Sequence, residues 1–339
     1  MAIGIICEYN PLHRGHILHM ELSRAAIGKN APIICAMSGS VTQRGEPAVF
    51  DKWSRAAAAV RAGANLVIEL PAPLSCASAE VFARAGVDLL AATGVVGTLS
   101  FGSESGDTPQ IPDTADISAY LAAGFSWAEA MRRVLGRDVL PNDLLGAYYL
   151  QSLRGTGIKP LIIRRDNSLP CASELRRNLV GPSLSENFRV TLAVLGRLTE
   201  RDWAAVADVS EGLEHRLLAA CRQAESWGGF MSAIRTKRYP QARLRRIILR
   251  AFLGIPKGFA APRYIRVLAF DGAGAALLKT MKKAASLPIV TKPAAAKGDP
   301  LFDLECQITD RLAYVSPQLY GAGRELTTSP VYIAKSFSL

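Results

Sequence analysis

The sequence lacks an apolar run long enough to cross a membrane. No stretch of about 18 apolar residues occurs, and the longest candidate, Val87–Phe101, is interrupted by Asp88 and Gly94. A secretory leader is not expected either, because the apolar stretch Ala2–Cys7 is short, has no basic flank and runs directly into Glu8. The sequence therefore predicts a protein with no membrane partner.

Closely spaced cysteines are also missing. The six cysteines lie far apart in the chain, without a CxxC pair and without clustering near the four histidines. This spacing argues against a zinc site and against a disulfide framework, so we expect no metal ligands from this source. Unpaired cysteines favour the reducing cytoplasm as the location. They are Cys7, Cys35, Cys76, Cys171, Cys221 and Cys306.

Acidic residues are absent from one long segment. Between Ser226 and Phe270 the chain has ten Lys or Arg residues and no Asp or Glu, and its overall formal charge is +11. Within Gln241–Phe252, apolar residues form one helical stripe and arginines another, so the helix is expected to pack on a core and turn its guanidinium groups outward. This arrangement predicts RNA binding, with Tyr239 placed to stack on an unpaired base, although a charge run of this kind also fits a solvated face. The candidate RNA contacts are Arg238, Arg243, Arg246 and Arg250.

The 339 residues contain 49% hydrophobic and 20% charged residues, which is enough for two folded domains. In the first half, short strands alternate with amphipathic helices, a pattern typical of a parallel sheet covered on both faces. We predict an α/β fold with a Rossmann-like, doubly wound parallel sheet over residues 1–181. The expected strands are Ile3–Cys7, Pro32–Met37, Leu66–Leu70, Gly97–Phe101 and Pro160–Arg164. The expected helices are Gly15–Ile27, Asp51–Ala62, Ala77–Ala92 and Pro141–Leu153.

The second half has a different, mostly helical residue pattern, and Gly181 and Pro182 mark the boundary. Residues 182–339 are predicted to form a mainly helical, basic domain, with weak strands at Val267–Phe270 and Leu287–Thr291. Its expected helices are Leu184–Leu198, Gly212–Ala224, Gln241–Phe252, Ala273–Ala284 and Asp303–Leu312.

Three of the four histidines lie within seven residues, just after the first predicted strand. The backbone N–H groups of a helix that starts there point outward and attract anions. His13 and His16 are three residues apart and share a helix face, and Gly15 removes a side chain from between backbone and ligand. The segment predicts nucleotide binding, with both imidazoles stabilising charge at the α-phosphate of ATP as pyrophosphate leaves. Two histidines at this spacing also occur as packed surface residues or metal ligands.

Eight segments in a fixed order resemble the bacterial tRNA(Met) cytidine acetate ligase family, within the HIGH-motif nucleotidyltransferase superfamily. They cover most of the chain: Ile5–His16 (IICEYNPLHRGH), Met37–Gly39, Gln43–Pro47, Asp51–Arg55, Leu66–Pro71, Phe101–Glu104, Leu140–Gly146 and Thr236–Tyr239. The resemblance implies that acetate and ATP form acetyl-adenylate, whose acetyl group passes to N4 of the wobble cytidine in elongator tRNA(Met).

The same resemblance implies a set of ATP-binding residues. The first run covers the strand end and the helix start: Cys7, Glu8, Tyr9, Asn10, Pro11, Leu12, His13, Arg14, Gly15, His16, Ile17, Leu18, His19 and Met20. The others are Gly102, Asn142, Arg164, Arg165, Ser173 and Arg176. From the residues alone, Gly102 is also compatible with an ordinary turn, Asn142 with a helix cap, and Arg176 with a solvated helix face.

Other activities remain open from sequence. A metabolite adenylyltransferase of the same superfamily would share the histidine segment, but such enzymes are smaller and have no long basic extension. A non-catalytic RNA-binding protein would not need intact His13, Gly15 and His16. Magnesium is expected with ATP, although no acidic cluster identifies ligands for it. No residue pattern selects acetate over another small acid, and no protein partner or oligomeric state can be inferred.

Overall fold

The computed structural model describes residues 1–108, 114–123, 125, 127–136, 138–166, 168–169, 172–210, 212–236, 239–318 and 320–334. Arg238 and Cys171, both named above, lie outside these residues. Within the described part, no helix is both long and apolar enough to span a bilayer.

A largely parallel sheet forms the centre of the molecule and confirms the predicted Rossmann-like fold. Its strand order is β5-β4-β1-β2-β3-β6-β7, with β8 paired to β6, and β6 runs antiparallel to β3. The strands are β1 (Ala2–Cys7), β2 (Ile33–Ser38), β3 (Leu66–Leu70), β4 (Val96–Ser103), β5 (Lys159–Arg164), β6 (Ile265–Phe270), β7 (Ile289–Val290) and β8 (Val331–Tyr332).

Helices cover both faces of this sheet, as buried parallel strands require. On one face Ile3 and Ile5 of β1 pack with Met20, and on the other Ile34 of β2 packs with Leu89. The helices of the first half are α1 (Arg14–Ile27), α2 (Lys52–Arg61), α3 (Ala72–Ser75), α4 (Ala79–Ala92), α5 (Thr114–Ala122), α6 (Trp127–Leu135), α7 (Pro141–Leu153) and α8 (Ala172–Arg176).

Residues after 182 build a second, helical core around Trp203, Phe230 and Ile308, which also packs on Val41 and Ala72 of the first half. Three strands from this half, β6, β7 and β8, extend the sheet, so the sheet is not confined to residues 1–181. The division into domains at that point stays a prediction. The remaining helices are α9 (Phe188–Leu195), α10 (Glu200–Ala205), α11 (Leu213–Gln223), α12 (Trp227–Ile234), α13 (Gln241–Leu253), α14 (Gly272–Ala284), α15 (Pro300–Ala313) and α16 (Arg324–Thr327), with a short 3-10 turn at Pro293–Ala296.

Five buried ionisable side chains join the two halves. Lys52 of α2 contacts the carboxylates of Glu69 and Glu325, and its Nζ lies 3.6 Å from Oε2 of Glu305. Arg266 of β6 also contacts Glu69 and Glu325. Burial and the neighbouring Glu69 raise the pKa of Glu305 to about 8. Glu305 therefore keeps its proton at neutral pH, which leaves two cations facing two carboxylates.

Removing one charge from this cluster is expected to destabilise the fold strongly. A Lys52→Met substitution leaves Glu69 and Glu325 buried with a single cation, so the free energy of unfolding should fall by about 3–5 kcal/mol. Arg84→Met is the matched control, because Arg84 pairs with Asp88 on the exposed surface of α4, where such a pair contributes about 0.5 kcal/mol. Equilibrium urea unfolding measures both, and equal losses in the two variants would contradict the role of the cluster.

Candidate active site at the carboxyl edge of the sheet

A cavity of about 350 Å³ opens at the carboxyl ends of β1, β4 and β5. Strand order reverses between β1 and β4, and ligands bind at this position in open α/β sheets. Fourteen of the predicted ATP-binding residues line it: Cys7, Glu8, Tyr9, Asn10, His13, Gly15, His16, Leu18, His19, Gly102, Asn142, Arg164, Arg165 and Arg176. Six others are not among its lining residues, and Met20 is fully buried in the core; they are Pro11, Leu12, Arg14, Ile17, Met20 and Ser173.

The two central histidines are held as a pair at the start of α1. His13 is the N-cap and its Nδ1 accepts the backbone N–H of Gly15 at 3.1 Å, while Nδ1 of His16 accepts the N–H of His13 at 3.3 Å. The ring centroids lie 3.7 Å apart. Because Nδ1 accepts a hydrogen bond in each ring, the proton of the neutral imidazole is on Nε2. Each ring therefore has an Nε2–H left to donate.

This geometry corrects one expectation. The N–H groups of His13 and Gly15 donate to imidazole nitrogens, so they are not available to an anion. The imidazoles replace them as donors, further from the backbone. A Cβ on Gly15 would lie 3.0 Å from Cε1 of His13, so glycine here leaves room for the His13 ring.

Burial keeps His13 and the two histidines of α1 neutral. Desolvation, together with the charges of His13 and His19, lowers the pKa of His16 to about 3. Desolvation and Arg165 lower the pKa of His19 to about 4, and the same two causes lower the pKa of His13. His19 also bonds Ser100 of β4 through Nε2, at 2.8 Å. The donors in the cavity are thus uncharged imidazoles at physiological pH.

Positive charge comes from arginines on the opposite wall. Arg165 follows β5, and the missing Cβ of Gly102 makes space for it, since that atom would lie 3.1 Å from Cγ of Arg165. Arg176 of α8 donates to the backbone oxygen of Asn10 at 2.7 Å, which fixes α8 against the β1–α1 turn. Arg164 is exposed at the rim, as is Arg44 from the loop after β2. Guanidinium groups so placed suit phosphate oxygens.

Asn142 takes part in a reciprocal set of hydrogen bonds between the end of β4 and the start of α7, here called the Glu104 clasp. The carboxylate of Glu104 accepts hydrogen bonds from the backbone and side-chain nitrogens of Asn142, and Asp143 accepts from Ser103 and from the Glu104 backbone. The alternative that Asn142 caps the helix is wrong: Leu140 is the N-cap of α7, and Glu104 accepts the backbone N–H groups of Asn142 and Asp143 instead. The clasp holds the start of α7 at the cavity wall.

One part of the cavity was not anticipated from sequence. An apolar lobe extends from the end of β1 toward α4 and α7, and it is lined by Ile6, Ala79, Phe82, Phe101, Leu145 and Tyr149. Gln43 and Arg44 lie at its polar end. The order of the strands gives the only sequence signal, because loops that follow parallel strands meet at one edge.

Comparison with known proteins identifies the family of this chain. A family model described as HIGH Nucleotidyl Transferase matches residues 1–180 and 172–324. A tRNA(Met) cytidine acetate ligase of Thermoanaerobacter sp. is 32% identical over 94% of this chain and 97% of its own length. One from Anoxybacillus flavithermus is 33% identical over 93% and 94%. The chain belongs to the tRNA(Met) cytidine acetate ligase family.

Solved structures of the family have the same fold. Thermotoga maritima TmcAL, crystallised with alpha-thio ATP, superimposes with a TM-score of 0.86 at 28% identity, covering 99% of this chain and 100% of that one. The apo form of the same protein gives a TM-score of 0.85. The resemblance stated from the sequence motifs is thereby confirmed.

The basic helix of this family member differs from its predicted orientation. Arg246 is 9% and Arg250 5% exposed, so the expectation that they face outward is wrong. Arg250 donates to the carbonyl oxygens of Pro73 and Cys76 at 2.6 Å, and Arg246 lies 3.5 Å from Asp208. Arg243, half-buried, bonds the carbonyl of Asp208.

Three further residues of the sequence analysis are also inside the protein. Tyr239 is buried, and Arg243 stacks on its ring at 4.3 Å, so it is not free to stack on a base. Lys52 and Arg55 of α2, which belong to the sequence motif Asp51–Arg55, are buried as well. Arg55 donates to the carbonyls of Glu8 and Ser38, which makes it a support for the end of β1.

The lowered histidine pKa values predict a specific acid sensitivity. In the unfolded chain these histidines take up protons near pH 6.5, whereas in the folded chain they do so only near their lowered pKa values. The free energy of unfolding therefore falls as pH decreases from about 6.5 toward 4. In His19→Gln, the stability lost between pH 7 and about pH 4.5 should be smaller than in the wild type by about 2 kcal/mol. Urea unfolding at both pH values measures this. His215→Gln, at an exposed ring of α11, is the control and should lose as much stability between the two pH values as the wild type. An equally large loss in His19→Gln would contradict a neutral, buried His19 ring.

Proposed function

We propose that this chain is an ATP-dependent ligase that acetylates N4 of the wobble cytidine in elongator tRNA(Met). The observation that carries the proposal is the pair of partly buried, neutral imidazoles that line the cavity at the carboxyl edge of β1, each with an Nε2–H left to donate. The named relatives, tRNA(Met) cytidine acetate ligases, and the alpha-thio ATP bound by Thermotoga maritima TmcAL support it.

In the first step, an acetate oxygen attacks the α-phosphorus of ATP and the bond to pyrophosphate breaks. Negative charge builds up on the α-phosphate oxygens and on the leaving pyrophosphate, and groups that stabilise this charge lower the activation barrier. His13 and His16 donate to the α-phosphate, while Arg165 and Arg176 bind the leaving phosphates. Because the imidazoles are already neutral and fixed, they need no reorganisation as the charge develops.

The nucleotide itself is proposed to lie along β4 and the start of α7. Gly102 and Asn142 line this side, and the Glu104 clasp holds α7 there. Arg164 at the rim would meet the solvent end of the nucleotide. In the second step, N4 of cytidine attacks the acetyl carbon and AMP leaves.

Magnesium would enter with ATP. In the described residues no group of three potential metal ligands occurs, and the carboxylates that line the cavity there are Glu8 and Asp166. Phosphate oxygens and water therefore fit best as its main ligands, which is the usual coordination of magnesium at triphosphates.

The tRNA is proposed to bind residues 182–339, and the ATP site belongs to residues 1–181. The exposed members of the acid-free segment are the best candidates for phosphate contacts, among them Arg235 at the end of α12 and Lys257. Within the described residues Arg235 has no carboxylate partner. Arg238 stays a candidate from sequence. The reaction would take place in the cytoplasm, where tRNA and ATP are present.

The activity is tested by incorporation of radiolabelled acetate into bulk tRNA, with and without ATP. Label should appear only when tRNA and ATP are both present. His16→Ala should lower the rate by about 10²–10³-fold, the loss typical of one removed transition-state donor. His215→Ala, at a ring whose side chain is 63% exposed on α11, is the matched control and should keep the wild-type rate. Full activity in His16→Ala, or ATP-independent labelling, would refute the proposal.

Burial separates the arginines that bind RNA from those that stabilise the fold. Arg250→Ala removes two buried charged hydrogen bonds and should lower the free energy of unfolding by about 2–3 kcal/mol. Arg235→Ala should leave stability unchanged, weaken tRNA binding and reduce the slope of log affinity against log salt by about 1. Filter binding over a salt series and urea unfolding distinguish the two. A selective loss of tRNA affinity in a fully stable Arg250→Ala variant would show that the buried orientation is wrong.

A further inference from the structure

One carboxylate lies in the cavity without an evident role in phosphate binding. Glu8 follows β1, and side chains alternate between the faces of a strand, so Glu8 is on the same side as Ile6 of the apolar lobe. Gln43 confirms this position, because its backbone N–H donates to Oε1 of Glu8 at 2.7 Å while its side chain bonds the carbonyl of Ala77, just before α4. Glu8 is therefore at the polar end of the lobe.

The second oxygen of this carboxylate is available to a ligand. Within the described residues, Oε2 of Glu8 has no hydrogen-bond partner, whereas Oε1 is held by Gln43. Burial raises the pKa of Glu8, against the opposing effects of the Gln43 N–H and of Arg55, Arg44 and Arg176. A carboxylate with a raised pKa is a better proton acceptor than an exposed one.

The lobe beyond Glu8 fits a flat, weakly polar ring rather than a triphosphate. Phe82, Phe101 and Tyr149 supply aromatic surface, and the Phe101 and Tyr149 centroids lie 5.3 Å apart. Splayed-out bases stack on such side chains. The Tyr149 hydroxyl has no partner in the described part of the chain, and burial raises its pKa, so it stays a donor.

The donor pattern of cytosine matches these groups. Its N4 amine donates, and Glu or Asp is the usual acceptor for that amine. Its O2 and N3 accept, which suits a hydroxyl such as that of Tyr149. Uracil would instead present the O4 lone pairs to the carboxylate of Glu8, and the two would repel each other.

We propose that Glu8 is the catalytic residue that binds N4 of the target cytidine and takes its proton during acetyl transfer, with the base in the apolar lobe. This rests on the proposed function. As N4 forms its bond to the acetyl carbon, the bond from that carbon to the AMP oxygen breaks and AMP leaves with the electron pair. The proton lost from N4 passes to Oε2 of Glu8 and then to solvent.

The experiment separates the two steps of the reaction. Activation is measured as acetate-dependent exchange of pyrophosphate into ATP without tRNA. Transfer is measured as labelling of tRNA from synthetic radiolabelled acetyl-adenylate without ATP, after subtraction of the enzyme-free rate. The variant is Glu8→Gln, whose side-chain oxygen can still accept from Gln43. Asp166→Asn is the control, because Asp166 is the other carboxylate among the described lining residues and lies at the end of β5.

Transfer in Glu8→Gln should fall by at least about 100-fold, the range for a lost general base, and exchange by less than about tenfold. Asp166→Asn should keep the wild-type ratio of the two rates. A wild-type rate of transfer in Glu8→Gln would overturn the assignment. Equal losses of exchange and transfer would overturn it too, because they would mean that Glu8 acts in activation or stabilises the fold. If the wild type labels no tRNA, the proposed function fails instead.

Discussion

Two hydrogen bonds from backbone N–H groups to Nδ1 of His13 and His16 set the chemistry of the cavity. They fix both rings, assign the proton to Nε2 and leave that proton as the donor to a ligand. Burial then keeps the rings neutral, since desolvation is the largest cause of the lowered pKa in each. These bonds depend on where β1 ends, so the buried centre of the sheet determines the position of the donors. Preorganisation of this kind makes uncharged donors effective.

The helical half also shapes the site, through the loop after β2. A Cβ on Gly45 would lie 2.3 Å from the backbone nitrogen of Arg246, so this loop is in direct contact with α13. Glu46 pairs with Arg245 of the same helix. Gln43, two residues before Gly45, holds the carboxylate of Glu8 through its backbone N–H. The position of a cavity carboxylate is thus fixed by a helix of the basic segment, which physically connects residues 182–339 to the cavity.

The parts of this structure that are local in sequence could be predicted, and those that depend on distant partners could not. The turn from β1 into α1 was predicted because its strand, cap and glycine lie within a few residues. Arg250 was misplaced because its partners, the carbonyls of Pro73 and Cys76, are more than 170 residues away. Periodicity separates two faces of a helix but does not say which face is covered. The apolar lobe was missed for the same reason, since β1, α4, β4 and α7 contribute to it from four separate segments.

The charges in the cavity explain how one site can serve two polar substrates, one of which needs cations and the other a hydrogen-bond acceptor. A triphosphate needs cations, and Arg44, Arg164, Arg165 and Arg176 supply them among the described lining residues. A cytosine amine needs an acceptor, and an isolated buried carboxylate would be protonated and lose that ability. The neighbouring Arg44, Arg55 and Arg176 oppose the effect of burial on Glu8, so two of the arginines that line the cavity, Arg44 and Arg176, also favour the ionised carboxylate. Departure of pyrophosphate after the first step then removes negative charge from the cavity, which favours ionised Glu8 further as the cytidine binds.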